Sequence, residues 1–443
     1  MTCEDDGVRR HRAAAILSPL SIPEFRRLWT ADVISLLGDW AGRLALTVLV
    51  FERTGSSAWA AAVTAVSLAG FVGIGQVLAT FADRLGRVRV MLAADLARAA
   101  LFAIMLIEMP VGAVLVLAFL AGLATPPFEA ARAAAMPELL PEDKYADALA
   151  LSGISVQFSL VVGNALGGLL LTIVNPSAAL AINACSFLVS AVLILGLRGT
   201  AAARPSTRPH TVGGSLRDGA NGLFGDRMVR RALGIVAVTG ALGTVTEALV
   251  VPYAAAIDFP DDLLGFLAAA VPVGTLLTTI VVARGSRTHS ALLRNASLCC
   301  VVTAGLATPL FWMDARGALA FLAFLVAGGM FAVSIPTNTV IGLRLERDHR
   351  ACAMGIAVGV LMGAQAVGAA VGGVAASIVG ESRAIAGSLA LAAGYGAWAL
   401  VTTPSDAKHL ARSRPRPPAA EPDQLVDLVA LEAESAVAPL PTH

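Results

Sequence analysis

A few ionisable side chains lie inside otherwise apolar stretches, and their types and spacing could support chemistry. Asp32, Asp39 and Arg43 are separated by seven and four positions within the stretch 28–51. A helical period places all three on one stripe, where Asp39 can pair directly with Arg43 one turn away. Asp39 could then take up a proton or a cationic group of a ligand, or it could belong to a neutral structural pair. The spacing leaves both interpretations open.

Two glutamates raise the same question elsewhere in the chain. Glu247 is the single carboxylate of the stretch 231–256, and no basic residue lies within one helical turn of it. Removal from water favours the neutral form of a carboxylate, so Glu247 is a candidate proton acceptor. The alternative is a position near the end of a helix, where the side chain reaches water. Glu129, about one turn inside the end of its own stretch, is a weaker candidate of the same kind.

The elements that must position these groups are helices that cross a membrane. Of the 443 residues, 57% are hydrophobic and 14% are charged, whereas soluble proteins carry about 25% charged residues. Runs of roughly 20 apolar residues can span a bilayer, and they lack the alternation that membrane strands require. We predict an all-α membrane protein with twelve spans, at 28–51, 58–80, 90–108, 111–133, 147–173, 178–197, 231–256, 263–283, 292–311, 317–343, 352–379 and 384–402.

The basic residues predict the orientation of these spans. Twenty-seven of the 32 Lys and Arg residues fall at span ends or in segments on one side of this plan. The other five are two residues within spans and three in loops of the far side: Arg43, Arg98, Arg53, Arg316 and Arg383. Because basic loops stay on the cytoplasmic side, we predict a multi-pass protein of the cell membrane with both termini in the cytoplasm.

A hydrophilic central segment divides the spans into two sets of six. The predicted plan is a cytoplasmic segment, a first half, a central loop, a second half and a disordered, Pro-rich tail, at 1–27, 28–197, 198–230, 231–402 and 403–443. In transporters built from two repeated halves, the substrate site lies near the middle of the membrane between the halves.

A short arginine-rich turn between the second and third spans resembles the loop signature of the major facilitator superfamily. The residues that match the pattern are Phe81, Ala82, Asp83, Arg84, Gly86 and Arg87. Ala79 stands where glycine is usual, and Val88 stands where a basic residue is usual. The resemblance implies two six-helix halves and a conformational gate at the cytoplasmic loop motif, formed by Asp83, Arg84, Gly86 and Arg87 together with Arg132. A simple positive anchor at the cytoplasmic face is the alternative role for Arg132.

Other segments are similar to the enterobactin-exporter type of efflux permease within that superfamily. They include Phe128-Glu129-Ala130-Ala131-Arg132 after the fourth span and Gly163-Asn164-Ala165-Leu166-Gly167-Gly168 in the fifth. The resemblance implies a secondary active transporter, in particular an exporter that uses the proton gradient. Asn164 stands where antiporters of the superfamily usually carry proline, which leaves another transport mode open.

Uncharged polar and small residues within spans could line a cavity or hold helices together. Gln157 and Asn164 are such candidates in the fifth span. Gly163, Gly167 and Gly168 form a face with four-residue spacing that suits close helix contacts, either mobile or static.

The same sequence argues against several other classes of protein. It contains no phosphate-binding loop and no metal-ligand spacing, so we predict neither a cofactor nor an enzyme. The net charge of +1 gives no sign of nucleic-acid binding. We expect a monomer whose partners are lipid, protons and a small, fairly apolar molecule such as a drug, siderophore or secondary metabolite. The alternative is a membrane receptor or scaffold that keeps the facilitator fold without transporting.

Overall fold

The structure, a computed structural model, describes residues 16–72, 86–197, 221–283, 289–345 and 350–403. Within these ranges the regular structure is helical, and no strand occurs. The α-helices are α1 (Pro23–Thr54), α2 (Ser57–Ala69), α3 (Arg87–Ile104), α4 (Val111–Leu139), α5 (Glu142–Leu171), α6 (Pro176–Leu195), α7 (Arg227–Ala248), α8 (Val250–Ala256), α9 (Leu264–Ala283), α10 (His289–Trp312), α11 (Ala318–Gly328), α12 (Ser334–Arg344), α13 (Arg350–Val379) and α14 (Glu381–Thr402).

Local sequence signals explain where several of these helices begin and end. Pro23 opens α1, where its missing N–H costs nothing, and Gly55 ends the helix with φ +60°, a left-handed conformation that glycine adopts without strain. Asn175 and Asp226 cap α6 and α7, because each side chain accepts a hydrogen bond from a backbone N–H in the first turn.

Ten of the twelve predicted spans correspond to segments long and apolar enough to cross a membrane, which confirms the predicted fold class. The other two are helical where they are described. α2 has 13 residues, and the chain after residue 72 lies outside the described ranges until residue 86. α3 has 18 residues but carries four charges, at Arg87, Arg89, Asp95 and Arg98.

Two predicted spans are interrupted rather than continuous. The predicted span 231–256 ends as α7 at Ala248 and resumes as the short α8. The predicted span 317–343 contains a 3-10 segment, Gly329–Val333, between α11 and α12. Such local changes of helix type leave some backbone N–H and C=O groups without their hydrogen-bond partners within the helix. At membrane depth this is tolerated where protein surrounds these groups.

Packing between the first six helices and the later ones concentrates at one end of the bundle. α2 packs against α13, and α5 packs against α9. Gly168 lies so close to Gly265 that a methyl group would overlap the facing backbone. A methyl group at Gly373 would overlap the side chain of Ala61. Nearby, the Ser57 hydroxyl donates a hydrogen bond of 2.5 Å to Glu381. We call this the sealed end.

Candidate functional site

A cavity of about 530 Å³ lies between the helices of the first half and those of the second. Its walls come from α1, α2, α5, α7, α9, α12 and α13, and most of the lining side chains are apolar. The polar but uncharged members of the lining are Gln157, Asn164, Thr239, Thr275, Thr279, Ser334 and Gln365. A mostly apolar cavity with a few placed polar groups is typical of a small-molecule site.

Among the described residues, Arg43 and Glu247 are the two charged members of this lining. Both also line an adjoining recess of about 30 Å³, next to Trp40 and Asn164. The Arg43 guanidinium lies 4.5 Å from the centre of the Trp40 ring, a cation–π contact that fixes its plane. In the described part of the chain no ion pair joins the two charges. We call Arg43 and Glu247 the cavity pair.

The two glutamines of the lining face the cavity without a protein partner. Gln157 on α5 and Gln365 on α13 make no side-chain hydrogen bond with any described residue. Asn164 differs, because its amide nitrogen donates to the Leu160 carbonyl at 2.8 Å and leaves its oxygen available. The cavity therefore offers free amide groups in addition to the cavity pair.

Asp39 does not pair with Arg43, although their spacing allows a direct pair. Its partner is Arg98 on α3, whose Nη1 lies 3.2 Å from Asp39 Oδ2. Arg98 Nη2 also donates to Asp95 Oδ1 at 2.5 Å, and the Ser190 hydroxyl donates to Asp95 Oδ2 at 2.7 Å. We call Asp39, Asp95, Arg98 and Ser190 the buried cluster.

Aromatic rings and close helix packing enclose the buried cluster. The Arg98 guanidinium lies 4.8 Å and 4.4 Å from the ring centres of Phe128 and Phe187, and its side chain is 3% exposed. Gly38 and Gly42 let α6 approach α1, because a side chain at either position would overlap Asn183. Further along α6, Ser190 reaches Asp95 on α3.

The residues of the predicted gate are only partly described. Asp83 and Arg84 lie outside the described residues, as do the central segment 198–220 and the tail 404–443. Gly86 directly precedes α3, and Arg87 forms an ion pair with Glu138 at the end of α4. The role of this loop as a gate stays a prediction.

Arg132 is bonded within the first half. Its guanidinium lies 3.2 Å from Asp32 and 2.6 Å from Glu129. Asp32 is buried on α1, whereas the Glu129 side chain is about one-third exposed. Glu129 is thus an ion-pair partner and not a member of the described cavity lining.

The predicted glycine face serves packing in this structure. Gly163 packs against Trp40 and Gly167 packs against Ala41, so both hold α5 against α1. Gly168 instead contacts the second half at the sealed end. Sequence reasoning missed Ser190, because a lone polar residue in a span carries no signal about what it faces.

Helices that span a membrane, a central cavity and packing between two helix sets define a membrane transport protein of the facilitator type. A profile of the Major Facilitator Superfamily matches residues 28–369. The chain belongs to this superfamily, and it is a transport protein rather than an enzyme.

The relatives include efflux pumps. The chain is 27% identical over 366 residues to the uncharacterized MFS-type transporter YfiS of Bacillus subtilis. This alignment covers 81% of this chain and 88% of YfiS. It is 29% identical over 222 residues to the multidrug efflux pump Tap of Mycobacterium tuberculosis, covering 47% and 52% of the two chains. It is 26% identical over 183 residues to the macrolide efflux protein A of Streptococcus pyogenes, covering 40% and 44%.

Solved structures share the fold at low sequence identity. A POT family transporter in complex with 5-aminolevulinic acid superposes with a TM-score of 0.71 at 13% identity, covering 86% of this chain and 96% of that one. The nucleoside transporter NupG gives 0.67 at 15% identity, covering 86% and 98%.

Proposed function

We propose that this chain is a secondary active transporter of the cell membrane that exports a small, largely apolar molecule in exchange for protons. The observation that carries the proposal is the apolar cavity between the halves, with the cavity pair in its wall. The family membership supports transport, and the efflux pumps among the relatives support export.

The proposed mechanism is alternating access between the two halves. The halves would part at the sealed end and close at the opposite end, where α1 begins and α14 ends. With both termini in the cytoplasm, as the basic residues predict, the structure corresponds to a state whose outer side is closed. Asp83, Arg84, Arg87 and Arg132 would hold the cytoplasmic side shut in the other state, since ion pairs can break and reform between two packings. Gly86 would contribute to the turn that carries these charges.

Glu247 is the proposed proton acceptor of this cycle. It lines the cavity, and no hydrogen bond or ion pair of the described residues occupies its carboxylate. Asp39 is the weaker candidate, because Arg98 holds it. One charge that crosses 100 mV supplies about 2.3 kcal/mol, which can drive uphill export.

The test uses everted membrane vesicles that hold a respiration-driven pH gradient, read by a fluorescent amine. Lipophilic cations, siderophores and antibiotics are added to vesicles with the parent protein, with Glu247→Gln and with Glu108→Gln. Glu108 is a matched control, because it is an exposed glutamate away from the cavity.

Collapse of the gradient by one compound, retained in Glu108→Gln and lost in Glu247→Gln, supports proton-coupled export. If the folded and inserted parent protein responds to no compound, proton-coupled export of these classes is rejected, and the non-transporting receptor or scaffold gains weight. Full activity of Glu247→Gln would remove Glu247 from the mechanism while leaving transport in place.

A further inference from the structure

The cavity pair presents two opposite charges that do not neutralise each other by contact. Arg43 comes from the first half and Glu247 from the second, and both line the same small recess. Within the described residues, neither side chain makes a hydrogen bond or an ion pair. Asp39, one turn from Arg43, is the other charged group nearby, and it is bonded to Arg98. An unpaired charge away from bulk water is costly, so both groups favour a partner of opposite charge.

The position of the cavity pair makes the cavity amphipathic. The recess lies near the sealed end, since Asn164 in its wall is one turn from Gly168. Away from it, the wall is apolar apart from hydroxyl groups and the amides of Gln157 and Gln365. Gln157 is seven residues from Asn164 on the same helix, which is about 10 Å along α5. A ligand would thus place a charged head at the end of the cavity beside the recess, where Arg43 and Glu247 also line the cavity, and an apolar body along the cavity.

We propose that the transported molecule is a small zwitterion with an apolar body, whose carboxylate pairs with Arg43 and whose ammonium group pairs with Glu247. This inference rests on the proposed function and narrows its substrate class. Arginine stays protonated and pairs with a carboxylate through two N–H groups, and stacking on Trp40 presents this edge in a fixed plane. Because the two charges belong to different halves, one such molecule would bridge the halves.

The same arrangement explains how export and proton entry would be coupled. The ammonium group of the zwitterion and a proton compete for one carboxylate, so Glu247 holds either the substrate or the proton. Loss of a proton from Glu247 to the cytoplasm precedes substrate binding, and uptake of a proton from outside follows substrate release. Each zwitterion exported returns one proton, and one positive charge moves inward.

The experiment measures ligand-induced thermal stabilisation of the full-length protein purified in detergent. Two zwitterions with different charge spacing, phenylalanine and leucyl-phenylalanine, are compared with their N-acetylated forms, their amides and the forms blocked at both ends. A ligand that binds the native state raises the unfolding temperature in proportion to its affinity. We expect at least one zwitterion to bind ten times more tightly than each of its blocked forms.

Variants assign each charge to its partner. Arg43→Gln should bind the zwitterion and its amide equally, whereas Arg43→Lys should keep part of the difference. Glu247→Gln should bind the zwitterion and its N-acetylated form equally. Arg53→Gln and Glu108→Gln, both exposed and distant from the cavity lining, should behave as the parent protein. Equal binding of zwitterionic and blocked ligands by the parent protein would overturn the inference.

The two proposals can fail separately. A zwitterion that stabilises the parent protein but does not collapse the gradient in vesicles contradicts proton-coupled export of that zwitterion. It leaves standing only the binding part of the inference, which is the pairing of its two charges with Arg43 and Glu247. A drug that collapses the gradient, with zwitterions bound no better than their blocked forms, leaves export standing and contradicts the inference.

Discussion

The buried cluster and the cavity pair use the same side-chain chemistry in opposite ways. In the buried cluster, Asp95 receives hydrogen bonds from both Arg98 and Ser190, and Arg98 also bonds Asp39. In the cavity pair, Arg43 and Glu247 share a recess without a bond between them. The first region is enclosed by aromatic rings, whereas the second opens into the cavity.

We infer from this difference that the buried cluster is structural and that the cavity pair is functional. Breaking a buried ion pair leaves an uncompensated charge, so the buried charges of Asp95 and Arg98 depend on each other. A charge without a partner in a cavity is available to a ligand or a proton, and such groups concentrate at functional sites. The comparison predicts that substitutions in the buried cluster reduce stability, whereas substitutions in the cavity pair reduce transport.

The largest effect is expected from Arg98→Ala. The change leaves the carboxylates of Asp39 and Asp95 without their cation and empties the space between two aromatic rings. We expect a loss of about 3–5 kcal/mol in the free energy of unfolding, measured by denaturation in detergent. Arg53→Ala, at an exposed position, should change this free energy by less than about 0.5 kcal/mol. Equal stability of the two variants would break the comparison.

A carboxylate-to-amide change in each region gives the sharpest contrast. Asp95→Asn weakens two hydrogen bonds to a buried charge and should cost about 1.5–3 kcal/mol. Glu247→Gln removes no described bond, so its free energy of unfolding should stay within about 0.5 kcal/mol of the parent value while proton-coupled flux is lost. Unfolding and vesicle assays on both variants check this pair. Comparable destabilisation by both changes would show that Glu247 is structural.

The third prediction concerns a substitution that alters access to the cavity and changes neither the buried cluster nor the cavity pair. Gly168→Ala would overlap the Gly265 backbone at the sealed end, and overpacking of this kind costs about 1–3 kcal/mol. The penalty applies to the sealed state alone, so the population should shift towards a state that is open at this end. Spin labels on α2 and α13 would report the longer distance between the halves.

Gly153→Ala is the matched control for that measurement, because a methyl group there meets no neighbouring atom. An unchanged distance distribution in Gly168→Ala would show that the sealed end tolerates the methyl group.

The smallest effect is expected from Ser190→Ala. The change removes one of the hydrogen bonds to Asp95 while Arg98 remains in place, so we expect a loss of about 1 kcal/mol in the free energy of unfolding. Ser177→Ala on the same helix removes no described side-chain bond and serves as its control. A loss as large as that of Arg98→Ala would mean that Ser190, and not Arg98, secures Asp95.

Much of the fold followed from the sequence because membrane spans are local features. A run of apolar residues satisfies its own backbone hydrogen bonds only as a helix, so each span could be predicted without knowledge of its neighbours. The two interruptions, between α7 and α8 and between α11 and α12, were harder to predict from the sequence. The break between α7 and α8 lies just before Pro252, which cannot donate a backbone hydrogen bond to the Ala248 carbonyl. Proline alone does not predict a break, because Pro272 and Pro309 lie inside continuous helices.

The candidate site was predictable in its members but not in its contacts. The charges at Asp39, Arg43 and Glu247 stood out because charged residues are rare in apolar spans. The partners of these charges could not be predicted. The spacing of four residues allows a pair between Asp39 and Arg43, whereas in the structure Asp39 pairs with Arg98.

The sequence by itself determined the helical class, the membrane setting, the family resemblance and the identity of the charged residues within the spans. Only the tertiary structure decided that Arg98 secures two carboxylates and that Arg43 and Glu247 face one cavity. The physical reason is that spacing along one helix defines a stripe, whereas the partner of that stripe depends on how helices rotate and approach. Here glycines set the approach, at Gly38 and Gly42 against α6 and at Gly168 against α9.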